Sequence, residues 1–153
     1  MPQITSSFYR DANHVPITTD GLITKKSHTF SNVAGSGAVG TVALFTVTGV
    51  VRVHVIGICN TDLVGAATLE VGVTGSTALV LAQIANATTL DAGELYADAT
   101  AAAFKATSDT VPPKVIVTTD IFATVGSTNI TAGQVDFYAI WTPISSNGNL
   151  VAA

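Results

Sequence analysis

The chain is short of charge, of cysteine and of long apolar runs. Charged side chains make up 10% of its 153 residues, against about 25% in an ordinary globular domain. Six Lys and Arg are scattered along it, and ten Asp and Glu leave a formal net charge of −4. No basic stripe is available to neutralise successive phosphates, so no nucleic acid partner is expected. The lone cysteine, Cys59, cannot close a disulfide within the chain. That excludes a disulfide-stapled scaffold and leaves stability to packing, strand pairing and contacts between subunits. The longest apolar stretch, Val50 to Cys59, is interrupted by Arg52 and His54 and falls well short of the ~20 residues that a membrane helix needs. Six Phe, three Tyr and one Trp are spread without the paired girdles of an outer-membrane barrel. The opening Met-Pro-Gln-Ile-Thr-Ser lacks the basic-then-apolar pattern of a signal peptide. No membrane association is expected.

Convergent chemistry is also scarce. His14, His28 and His54 show no pair at metal-ligand spacing. His54 shares a strand face with Arg52 and reads as a solvated or hydrogen-bonded imidazole. Cys59 falls on the apolar face with Val51, Val53 and Val55, where a buried thiol is inert rather than nucleophilic. Asp91, Glu94 and Asp98 form an acidic cluster, but a calcium loop supplies more oxygen ligands at tighter spacing, so a solvated loop is expected. Asp11 with Asn13 fares no better. Gly35 and Gly37 lack the strand-turn-helix setting of a phosphate cradle, and no phosphate-loop motif occurs. Two sequons, at Asn86 and Asn129, matter only in a secretory pathway. No cofactor, no metal and no enzymatic activity are expected.

What is present is apolar, small and β-branched. Apolar residues make up 48% of the chain and mean hydropathy is +0.51. A single domain of this length buries roughly 70% of the surface its unfolded chain exposes. From Thr41 onward side chains alternate with a period of two, the signature of strands. Val51, Val53 and Val55 share one face, Leu69, Val71 and Val73 another, and Val135, Phe137, Ala139 and Trp141 a third. Ala78 to Ile84 is nearly continuous and apolar, and reads as a strand buried on both faces. Glu94 to Tyr96, Val115 to Val117 and Ile121 to Val125 add shorter strands, while Asp98 to Ala106 is the best place for a helical turn. Gly49, Gly75-Ser76, Gly126-Ser127 and Pro143 punctuate the series. About seven short strands with regular turns predict an all-β, single-domain antiparallel β-sandwich or jelly-roll-like barrel. The expected organisation is an extended N-terminal arm over residues 1–40, a body over 41–145 and a C-terminal tail over 146–153. The arm is read either as anchored through Phe8 and Tyr9 or as a free tail. A surface of Thr, Ser, Ala, Gly and Val is buried against a partner with little loss of side-chain entropy, so assembly with copies of itself or another protein is expected.

Two segments carry a resemblance. Tyr9-Arg10-Asp11-Ala12-Asn13-His14-Val15-Pro16-Ile17, and Phe137 to Ser145 with Asn147-Gly148-Asn149-Leu150-Val151, are similar to the opening and closing phrases of tailed-bacteriophage virion structural proteins, particularly the capsid decoration (cement) or head-associated group. Leu44 to Gly49 and Thr131 to Gln134 extend the likeness. His14 stands where the opening phrase usually has Arg. The resemblance implies a protein on the outer surface of the capsid that binds the major capsid protein and stabilises its subunit contacts, often as a homotrimer at local three-fold positions. Phe8, Tyr9, Arg10, Asp11, Asn13 and His14 are then the expected partner contacts. A tail or head-fibre component has the same profile. From another class, a carbohydrate-binding module would use Tyr96, Tyr138 and Trp141 as its platform.

Overall fold

The computed structural model describes residues 21–99 and 114–153. Among them ten strands form: β1 (Leu22–Thr29), β2 (Gly40–Thr48), β3 (Val51–Val64), β4 (Thr68–Val73), β5 (Ser76–Ile84), β6 (Leu95–Tyr96), β7 (Val115–Val117), β8 (Ile121–Gly126), β9 (Ala132–Pro143) and β10 (Asn149–Ala152). A 3-10 turn, Ala87–Thr89, is capped by the Asn86 side chain, which accepts from the Thr88 N–H. The strands make two five-stranded antiparallel sheets. In the first, β9 lies between β1 and β3, and the other edge of β3 is shared end to end by β7 and β6. The second runs β10-β2-β8-β4-β5. The all-β sandwich expected from the periodicity is the fold.

β-Branched residues at alternate positions decide the pairing. In β3 the odd positions Val51, Val53, Val55 and Cys59 point inward and are buried, and Val135, Phe137, Ala139 and Trp141 of β9 do the same. They meet Val42, Leu44, Phe45, Leu69, Val71, Ile121, Ala123 and Val125 from the second sheet in one continuous core. Each large apolar side chain buried there contributes about 1.5–3 kcal/mol. A shift by one residue would turn every one of these side chains toward water, so the register is strongly specified. Gly57 breaks the apolar series of β3 for a steric reason: a Cβ there would lie 3.1 Å from the Tyr96 Cβ and 3.2 Å from Val135 Cγ1.

Two aromatic side chains close the two long seams between the sheets. At one edge the Trp141 indole N–H donates to Thr24 Oγ1 (3.0 Å), whose own hydroxyl donates to the Leu150 carbonyl (3.2 Å), joining β9, β1 and β10. Lys26 reaches the Ala153 carbonyl at the same seam. At the opposite edge the Tyr96 hydroxyl lies 2.9 Å from the Leu69 carbonyl oxygen and 2.8 Å from that of Ala82. The β4–β5 ladder shifts register between Leu69 and Val71, so the tyrosine supplies a donor where the ladder is irregular. Burial, and behind it the Glu70 carboxylate, push the Tyr96 phenol well above its ordinary value and keep that donor protonated.

Three expectations change. Strand pairing does not begin at Thr41: β1 pairs with β9 over its full length, from Leu22 opposite Trp141 to Thr29 opposite Gln134. The second half of the expected arm is therefore part of the body, and residues 1–20 lie outside the described residues. The C-terminal stretch likewise contributes β10, which pairs with β2. The apolar run Ala78 to Ile84 is not buried on both faces, because β5 is an edge strand with Ala78, Ala82 and Gln83 exposed. Of the helical turn expected over Asp98 to Ala106, residues 100–106 lie outside the described residues.

Candidate functional site

The expected partner contacts Phe8, Tyr9, Arg10, Asp11, Asn13 and His14 lie outside the described residues. Several of the other singled-out side chains serve the fold. Cys59 is buried, its Sγ donating toward the Thr61 carbonyl (3.2 Å) and 3.4 Å from that of Leu90, and burial pushes the thiol up to about 11. Such a thiol is protonated at neutral pH and a poor nucleophile. Glu94 Oε2 accepts the Asp91 N–H (2.8 Å) and Asp62 Oδ1 of β3 accepts the Ala92 N–H (2.7 Å), so Glu94 of the acidic cluster and Asp62 together fasten a turn. Among the described residues no group of three or more His, Cys, Asp or Glu could hold a metal ion. Asn86 caps the 3-10 turn, and Asn129 accepts the Val39 N–H (2.9 Å) and donates to Asn32. Tyr96 and Trp141 are core residues at 0% and 5% exposure, which removes two of the three members of the aromatic platform.

Arg52, His54 and Lys114 do converge. They line a shallow depression with Val53, Ile140 and Thr142 that encloses about 10 Å³, room for about one water molecule. A depression of that size does not enclose a substrate.

Among the described residues, the two outer sheet faces offer broad surfaces for recognition. On the first sheet the outward positions are set by the alternation that buries the odd residues of β3. They place Ile23 opposite Ile140 and Ile140 opposite His54, Tyr138 between Lys25 and Ile56, Asp136 between Ser27 and Ile58, and Ile116 opposite Arg52. Ile23 is 58% exposed and Ile116 64%, while Ile56, Ile58 and Ile140 are partly exposed. Five isoleucines from four strands thus occupy one sheet face.

One ion pair crosses this face. Lys25 Nζ lies 2.6 Å from Asp136 Oδ2 and 5.6 Å above the Tyr138 ring centroid. Burial pushes the Asp136 carboxyl up, but Lys25 together with the Ser27 and Asn60 side chains outweighs it and holds the group below its ordinary value. Asp136 is 7% exposed although it points away from the core, so its cover is a thin layer of neighbouring side chains.

The outer face of the second sheet is built differently. Thr41, Ala43, Thr46 and Thr48 of β2 and Phe122 of β8 stand between buried positions, and Thr68 opens β4 as its one residue that is not buried. Its carboxylate, Glu70, is buried and accepts from Gln83 Nε2 at 2.8 Å. The exposed side chains of β2 on this face are small and uncharged, while Phe122, Val151 and the buried Glu70 complete it.

Comparison with protein-family models, curated proteins and solved structures finds no match for this chain.

Proposed function

We propose that the protein is a virion structural protein: a decoration (cement) protein that binds the outside of a tailed-bacteriophage head shell and stabilises contacts between major capsid protein subunits. The observation that carries the reading is the outer face of the second sheet, where Thr41, Ala43, Thr46 and Thr48 of β2 are exposed and uncharged and Thr68 of β4 is partly exposed. Threonine, alanine and glycine lose little rotamer freedom on burial, so such a face lies against another protein at small entropic cost. The rigid body beneath it, locked at both seams by Trp141 and Tyr96, suits a clip that resists deformation. The likeness of residues 9–17 and 137–151 to phrases of the decoration group supports the same role. In this reading the partners are the major capsid protein and further copies of the chain, and the location is the outer capsid surface.

Immunogold labelling of intact particles from the phage that encodes the chain tests it, with an antibody raised against the purified protein. Gold spread over the heads is the expected result. Label confined to the tail or to one vertex would replace decoration by a tail or head-fibre role, and absence from purified particles would overturn the virion reading.

A further inference from the structure

Charge is scarce in this chain, so its placement carries weight. Of the six Lys and Arg, Arg10 and Lys105 lie outside the described residues. Lys25 is paired with Asp136, and Lys26 reaches the Ala153 carbonyl. Arg52 and Lys114 remain. Both are exposed and both line the same depression at the start of β3. No carboxylate among the described residues lies within ion-pair distance of either. Two cations held side by side repel each other, and strand pairing does not require them: further along the same outward side β3 carries Ile56 and Ile58. Elsewhere on the face Lys25 and Asp136 neutralise each other, so the unmatched charge is confined to the Arg52 end.

We infer that this end of the first sheet docks another protein through a carboxylate set between apolar side chains. The surroundings of the two cations select that chemistry. Ile116 stands opposite Arg52, Ile140 opposite His54 and Ile23 opposite Ile140, with Ile23 58% and Ile116 64% exposed. The depression has room for about one water molecule. It therefore takes the tip of one side chain, and the surface around it must supply the rest of the contact. A carboxylate placed there accepts from the Arg52 guanidinium, whose forked donors match its two oxygens, and relieves the repulsion with Lys114. Apolar neighbours of that carboxylate cover the isoleucines, which a small hydrated anion would leave in water. A nucleic acid backbone needs cations in succession, and here the next outward positions are isoleucines. The docking stands independently of the head-shell reading, because it uses the opposite side of the sandwich.

An NMR titration of the isotope-labelled full chain tests the inference. The probe is the peptide acetyl-Thr-Val-Glu-Val-Thr-amide, with Gln in place of its Glu as the control. Amide signals of Arg52, His54, Ile116 and Ile140 are expected to move, while those of Thr46 and Phe122 on the second sheet stay. The Gln peptide is expected to bind about 5-fold more weakly, the upper range for an exposed ion pair. The double variant Arg52→Gln, Lys114→Gln should lose the same factor for the Glu peptide and nothing for the Gln peptide, with cooperative melting retained because both side chains are exposed. Ile116→Ser should weaken both peptides. No movement at millimolar peptide, equal binding of the two peptides, or indifference to the double variant would each overturn the docking site. Inorganic phosphate moving the same signals at lower concentration than the peptide would replace it by a small-anion site. A response seen only when Asp11, Asp20 and Asp109 are all changed to Asn would assign the cations to the chain's own acids and overturn it as well.

Discussion

The two outer faces of this sandwich are made from side chains of the same branched shape, and they differ in what those side chains present to water. On the first sheet Ile23, Ile56, Ile58, Ile116 and Ile140 point away from the core; on the second, Thr41, Thr46, Thr48 and Thr68 do. Both residue types are stiff at χ1 and favour strands. Strand formation alone would be served equally by either, so the choice between a methyl-bearing and a hydroxyl-bearing branch carries information about surroundings. The threonines can stay wet at little cost, with Phe122 and Val151 the larger apolar side chains on that side. The isoleucine face leaves apolar surface in water unless something covers it, and soluble monomers seldom keep large contiguous patches of that kind.

The largest effect comes from carrying the swap inside. Val53→Thr keeps the branched shape in β3 but puts a hydroxyl among fully buried apolar neighbours, and is expected to cost about 1–3 kcal/mol in urea-induced unfolding. A cost near zero would mean that the inner surface is no more demanding than the outer ones.

Acid sharpens the contrast next, because a charged pair crosses the isoleucine face. The Asp136 carboxyl is held below its ordinary value of 3.8, chiefly against burial, by Lys25, Ser27 and Asn60. A depressed carboxylate contributes stability that is fully present above pH 3.8 and is lost as pH falls through the folded value. In Lys25→Gln the ionic partner is lost while Ser27 and Asn60 remain, so the loss is expected to set in at higher pH, visible in an NMR titration of the Asp136 side chain. An unchanged titration would remove Lys25 as the group that holds it.

The smallest effects on folding belong to swaps between the faces themselves. Ile140→Thr and Thr46→Ile are each expected to change stability by no more than about 0.5 kcal/mol in thermal melts. Their effects on binding of the Glu peptide should differ: the first weakens it and the second leaves it unchanged. Equal binding by both variants and the wild type would erase the distinction between the faces.

Much of the fold was legible where the inward positions are apolar without interruption, as in β3, β4, β8 and β9. β1 was not, for a reason visible at its inward side: Leu22 and Thr24 are followed by Lys26 and His28. At the seam these do not enter the core. Lys26 reaches the Ala153 carbonyl, and His28 bonds the Ser36 carbonyl (2.7 Å) and stacks edge-on to Phe30 at 4.7 Å. An inward face completed by polar seam contacts has no hydropathy period to read. β10 hid in a Ser-Asn-Gly stretch because it offers only Leu150 to the core. The run Ala78 to Ile84 misled in the other direction, since hydropathy cannot tell an edge strand with small exposed alanines from a central one.

The recognition faces were harder still. Arg52 and His54 mark the outward side of β3 as polar, yet the same side turns apolar two residues later at Ile56 and Ile58. The remaining isoleucines arrive from positions 23, 116 and 140, so only the pairing register brings them together. Spacing alone does not reveal that the Glu94 carboxylate of the expected solvated loop takes the Asp91 N–H, or that core packing claims Tyr96 and Trp141 of the aromatic trio.

The eight-residue match of β1 with β9 also has a mechanical consequence. A pull at Gly21 along the axis of β1 would load that ladder in shear, stressing its hydrogen bonds together, whereas a pull across the sheet would open them one after another from the end. Trp141 and Thr24 cross-brace the first turns of the ladder against the last strand. The body is therefore stiffest along the direction in which a tether leaving Gly21 in line with the strand would draw it.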